Sequence, residues 1–496
     1  MSSSKSIDLY YLIKSMTKSE KRAFKLYAKR GSGTEHLFLK LFDIMDSLKE
    51  LDDKAIQKKV KLDSVSQYSN LKRHLYSQIL SSLRMLKVEK IPNIKIREYI
   101  DLAYVLYDKG LYMQALNILN TAKVLCKKYG TDLSLLTILE IEKNIHSRHI
   151  TRIKENTFED LLSHTKDVSD SLSDRVHLTN LKLRLHKMYI QNGHVKNEKE
   201  YKKVSKYFRQ EIKNIDFDSL GMMEKVYYCQ CHVWYNYVIE DYNSCLQYAK
   251  QWVDLFSNSE YLQKRDYNLC LRGFHYVLTS AFNLKNLKVH RTYLADLENF
   301  RAINYSKFNK NNKIFSFLYT HTGRLNDVFL SKNFEDGIKA IPRTLRRINR
   351  YRLNLDQHKI MVLYYKIAWM YICATKTELA LPYIVEIISL KRKSLREDIQ
   401  SYTRLMHLMA LYDMEDYNGI LEILRKYKYY FEQVKETNEL QKAALKYFYQ
   451  VSTVPIFERK KIHQNFYKEL QEIQKSNYEK RAFIYLDIIH WVKQKI

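Results

Sequence analysis

Four prolines and ten glycines are all that punctuate 496 residues. Sheets reverse direction often and draw on those residues for their turns, whereas long helices exclude both. Several of the glycines stand where a helix should stop, as in Tyr107-Asp108-Lys109-Gly110, Lys128-Tyr129-Gly130 and Gln191-Asn192-Gly193. The chain is therefore read as all-α, a stack of antiparallel helices. Stacks of this kind usually work by binding a partner along an extended surface.

The length exceeds what one compact core absorbs, so either separate globular domains or one elongated array is required. A hydrophobic content of 46% supplies a core and excludes wholesale disorder. Lys+Arg 84 against Asp+Glu 55 leaves +29. Such an excess attracts polyanions, namely nucleic acid, a ribosome surface, an anionic membrane or an acidic protein. A lysine-rich solvated surface gives the same number, so net charge locates no patch. Six cysteines, sparse for the length, imply no disulfide framework and fit a reducing cytoplasm. No apolar h-region follows Met1-Ser2-Ser3-Ser4-Lys5-Ser6-Ile7-Asp8, which argues against a secretory signal. The most apolar run, 360–374, is interrupted by Lys366 and too short to span a bilayer. A cytoplasmic chain without integral membrane association or cofactor is the expectation.

Residues 1–92 read as a small helical domain. Helices are expected over 8–16 and 17–30, the second opened by the capping box Thr17-Lys18-Ser19-Glu20. Others follow over 34–51 and 54–60, and a long one capped by Ser66 or Ser69 runs to Leu86. Ile91-Pro92-Asn93 closes the segment. From 93 to 496 the text repeats loosely. In the clearest unit, 99–127, the first helix carries Tyr99, Leu102, Ala103 and Tyr107. Gly110 makes the turn, and Tyr112, Ala115, Leu119 and Ala122 line the second helix. Small residues where two helices touch, with an aromatic after the turn, resemble a tetratricopeptide repeat of bacterial type. Lys127 stands where that family usually has a proline. Weaker echoes place turns at Tyr242, Leu287, Phe334, Thr377 and Tyr417, spaced by 45, 47, 43 and 40 residues. These intervals exceed the roughly 34 of a standard repeat. The resemblance implies a right-handed superhelix whose concave surface binds protein or peptide.

No phosphate loop, dinucleotide fingerprint, His-Glu-x-x-His or nucleophile elbow occurs, so an enzyme is not expected. Cys229-Gln230-Cys231-His232 would send its two thiolates in different directions on a helix, and reads as buried thiols. Glu142, His146 and His149 share a helical face, which reads as a solvated polar side. The 41 tyrosines read mainly as packing between helices, with base stacking as the sharper alternative.

Three basic clusters are candidate anion- or nucleic-acid-binding surfaces. The first is Lys18, Lys21, Arg22, Lys25 and Lys29. The second is Lys339, Arg343, Arg346, Arg347 and Arg350, with Pro342 as a potential kink. The third is Lys391, Arg392, Lys393 and Arg396. Arginine forks suit phosphate and carboxylate, although a charge stripe is also the ordinary wet side of a helix. A candidate helix-turn-helix joins 52–60 to a recognition helix bearing Gln67, Ser69, Asn70, Lys72 and Arg73; capping of the array is its competing role. The leading expectation is a non-catalytic interaction scaffold for a protein or peptide. The alternatives are a nucleic-acid- or ribosome-binding protein and a DNA-binding regulator with a sensing solenoid.

Overall fold

The computed structural model describes the chain except residues 1–3, 30–36, 61, 63, 149–154, 196, 260–261, 264–265, 352–354, 391–396, 434–436, 477–478 and 481. Among the described residues the fold is all-α, 85% helical in 24 helices, with no strand. No described helix is long and apolar enough to cross a membrane. Two compact units form, residues 1–172 and 173–496.

The first unit holds two apolar clusters. One joins Leu9, Ile13, Phe24, Phe42, Leu75 and their neighbours; the other joins Ile96, Ala103, Ala115, Leu119 and Ile138. The capping box forms: the Thr17 hydroxyl accepts from the Glu20 amide at 3.2 Å, and Glu20 accepts from the Thr17 amide at 2.8 Å. Other boundaries differ from the sequence reading. The first helix opens earlier, as Ser4–Ser15, and the third spans Leu37–Ser47 rather than reaching 51. Ser64, not Ser66 or Ser69, caps the long helix Val65–Lys87. Pro92 opens the next helix, Pro92–Asp108, where its missing N–H leaves nothing unpaired.

In the repeat-like unit, Ala103, Ala115, Leu119 and Ala122 are fully buried, and these mostly small side chains let the two helices approach. Tyr99, Tyr107 and Tyr112 are half-buried, with the last two rings 5.4 Å apart. Leu102 is 43% exposed. It precedes Ala103 by one residue, a rotation of about 100° away from the seam. Gly110 takes φ 74, and two bonds close the turn, Gly110 N–H to Tyr107 O at 2.8 Å and Leu111 N–H to Leu106 O at 2.9 Å.

The second unit repeats this turn without glycine. Glu240, Lys285, Lys332, Thr375 and Glu415 take φ 64, 54, 58, 57 and 62. The wider closing bond recurs at 2.9 Å from Asp241 to Asn236, Asn286 to Ala281, Lys376 to Tyr371 and Asp416 to Leu411. Two residues after each left-handed position the second helix begins, at Tyr242, Leu287, Phe334, Thr377 and Tyr417. Those are the turn positions given by spacing. Asp241, Asn286 and Asp416 then accept from backbone amides of the helix they precede.

From Tyr267–Asn283 onward, first helices of successive hairpins also pack on one another: Lys310–Ser331, Gln357–Cys373 and Glu397–Asp413. Successive second helices make no comparable contact, so the first helices form one continuous row. The C-terminal segment folds back onto that row. Tyr365 donates to the Tyr485 carbonyl at 2.7 Å, Tyr402 stacks on Tyr485 at 5.0 Å, and Trp491 donates to Asp413 at 3.0 Å.

Candidate functional site

The first basic stripe lies on Lys18–Ala28 and is answered in part by the helix beside it. Lys21 pairs with Asp46 and Lys25 with Asp43, the latter at 2.6 Å. Lys18, Arg22 and Lys29 are exposed. In the candidate recognition helix, Gln67, Ser69, Asn70 and Arg73 are exposed, but Lys72 is bound inward. Its ammonium donates to Ser6 at 2.5 Å, lies 3.7 Å from Asp53 and sits 4.2 Å over the Tyr68 ring. Lys391, Arg392, Lys393 and Arg396 lie outside the described residues, as does His149.

Glu142 corrects the expectation of a solvated polar face. It is 3% exposed and held by Lys123 at 2.8 Å. Cys229 and Cys231 are buried, and burial pushes both thiols up to about 12. His232 lies between the Tyr228 and Tyr248 rings, 4.5 and 4.0 Å away. No group of three or more metal-ligating side chains occurs among the described residues.

The second stripe is placed differently. Phe334–Tyr351 buries Gly337, Ile341, Thr344 and Ile348 and continues through Pro342. Lys339, Arg343, Arg346 and Arg350 are exposed and Arg347 is half-buried. Lys339 is bound to Asp336 at 2.6 Å; the four arginines make no ion pair among the described residues. Arg343 and Lys339 line a cavity of about 480 Å³ with Arg291, Arg324 and His321 from the two preceding helices. His321 is 4% exposed, and its Nδ1 lies 2.8 Å from the Thr344 hydroxyl. Burial, then the charges of Arg324, Arg347, Arg301 and Arg343, push its pKa down to about 3. Four guanidinium groups from three helices thus surround one neutral imidazole.

A second cationic centre lies on the row of first helices. Arg272, on Tyr267–Asn283, bonds the Tyr319 hydroxyl, and the Tyr319 ring stacks on His275 at 4.4 Å. Lys182 and Lys359 flank it, half-buried. Their rings are close: Tyr227 lies 5.0 Å from Lys182, and Phe315 lies 4.3 Å from Lys359. Burial first, and the charge of Arg272 next, holds both ammonium groups below their ordinary range. Asp356, the N-cap of the Lys359 helix, offsets this only in part. His275 is pushed down to about 3 by burial and then by Lys359, Arg272 and Lys366. Trp234 extends the aromatic lining, 4.4 Å from His186 and 5.8 Å from Tyr276.

This centre was not visible as a motif, because Lys182, Arg272 and Lys359 are far apart in the chain. The one local signal was a lysine interrupting an otherwise apolar helix, which Lys366 and Lys359 both do in Gln357–Cys373. Arg301 and Arg324 were missed for the same reason: each is a lone cation on a helix other than the stripe's. No family model, no curated protein and no solved structure matches this chain.

Proposed function

We propose that the chain is a non-catalytic interaction scaffold, a tetratricopeptide-like right-handed array whose second unit grips an acidic segment of a protein partner along its row of first helices. The observation that carries this reading is the Arg272 centre. Lys182 and Lys359 each stand half-buried near the half-buried Arg272, and none of the three makes an ion pair among the described residues. Cations withdrawn from water without a counter-charge are costly, and an entering carboxylate removes that cost. Aromatic rings interleaved with them supply apolar and cation–π contact for the same segment. The DNA-reading alternative has weaker support, since Lys72 is already engaged within the first unit.

The test uses the full chain and a labelled oligo-glutamate peptide, with oligo-lysine as control. Oligo-glutamate should bind, weaken with added salt, and change Trp234 emission. Arg272→Glu should reduce affinity by about a hundredfold, the scale of a lost charge-assisted contact plus a new repulsion. Equal binding by wild type and the variant removes the proposal.

A further inference from the structure

We propose that the cavity between Leu287–Asn304, Lys310–Ser331 and Phe334–Tyr351 is a binding site for a phosphoryl dianion, either inorganic phosphate or the monoester of a small polar molecule.

The charge balance of the site comes first. Two carboxylates line the cavity, and each is already held: Asp327 by Arg291 at 2.9 Å and Asp336 by Lys339 at 2.6 Å. Arg324, at the rim, is held by Glu298 at 2.6 Å. Arg343 and Arg347 have no acid partner among the described residues. Arg301 leans on the Tyr305 ring at 5.5 Å, and its guanidinium is held below its ordinary range by burial and then by Arg347. Three positive charges thus remain uncompensated around His321: Arg343 in the cavity wall, and Arg347 and Arg301 behind it. A dianion offsets most of that excess, while a single carboxylate leaves more of it standing.

Geometry separates a compact dianion from a nucleic-acid strand. A strand needs cations spread along a track, with aromatic faces for its bases. Here the arginines converge from three helices on one buried imidazole, and no Phe, Tyr or Trp lines the cavity. Guanidinium forks match the tetrahedral oxygens of a phosphoryl group and hold them in pairs. The polar remainder of the lining, Ser331, Asn333, Thr344 and His321, offers neutral hydrogen-bonding groups beside the arginines. The volume of about 480 Å³ lies in the range that encloses a small ligand. The Thr344 hydroxyl also lies 3.2 Å from the Ala340 carbonyl, to which it donates. His321 Nδ1–H then donates to Thr344, which fixes the ring with Nε2 on its other side.

This site uses different residues from the Arg272 centre, so each can fail alone. The test is calorimetric titration of the full chain at low salt with inorganic phosphate, glucose 6-phosphate and glucose, with ³¹P line shapes followed in parallel. Phosphate or glucose 6-phosphate should bind and broaden its ³¹P line, and glucose should not bind. Tighter binding of the ester assigns the site to an esterified ligand; equal or tighter binding of phosphate assigns it to the free anion. The double variant Arg343→Gln, Arg347→Gln should weaken binding about tenfold for each guanidinium removed. Arg350→Gln, on the same helix but not among the cations whose charge reaches His321, should bind as wild type, and so should Arg272→Glu. The proposal is overturned by the absence of any phosphate or ester signal with wild type, by undiminished binding to the double variant, or by RNA binding that neither ligand displaces.

Discussion

Thr375 carries a β-branched side chain at φ 57, a conformation that crowds Cβ against the backbone and costs roughly 1–2 kcal/mol. Packing of the flanking helices holds it there, since its turn makes the same bonds as the glycine turn at Gly110. Thr375→Gly should therefore raise stability by about 1 kcal/mol, less than the full strain because glycine also gains freedom in the unfolded chain. Gly110→Ala should lower stability by a similar amount, although a Cβ there meets nothing within 4 Å. Urea titration of both variants checks the two signs together. The Gly110 turn was legible from residue type alone. The turns at 240, 285, 332, 375 and 415 were legible only by spacing and by the aspartate or asparagine that often follows. Ser66 and Ser69 carry equally good capping side chains, so residue type does not single out Ser64. Only the folded backbone distinguishes among them.

Between elements, close approach is the constraint that sequence hides best. A Cβ on Gly337 would meet Val328 Cγ1 at 2.6 Å and Met370 Sδ at 2.8 Å, side chains from the helices on either side of it. Gly337→Ala should cost about 1–3 kcal/mol through overpacking. It should also weaken phosphate binding, because the helix it displaces carries Arg343 and Arg347. A thermal melt and one titration of the same variant measure both. The periodicity of Phe334–Tyr351 made its arginine face legible, since one helix repeats every 3.6 residues. The acids that pair with two members of the first stripe were not legible. Asp43 and Asp46 face Lys25 and Lys21 only after two helices pack, and nothing on Lys18–Ala28 announces them. Arg301 and Arg324 reach the second stripe by the same route.

Across the whole molecule, buried imidazoles couple stability to acid. His290, His321 and His463 are nearly unexposed, and burial comes first among the causes that push their pKa values down to about 4, 3 and 4 from 6.5. Below pH 6.5 the unfolded chain takes up protons that the folded chain refuses. Stability is thus complete above that pH and falls as pH drops from 6.5 toward 4. Each such histidine contributes a slope of about 1.4 kcal/mol per pH unit in that window. Urea midpoints should agree at pH 7 and 8 and decline between 6.5 and 5; a flat profile would show these rings protonated in the fold. The same scale shows what becomes of the last residues. Rows of hairpins ordinarily fray from their ends, because a terminal unit has one neighbour. Tyr485 is tied to Tyr365, 120 residues earlier, and Trp491 to Asp413. This stapling makes the tail a structural tie for helices far upstream, so its detachment and the loosening of the middle of that unit are one event.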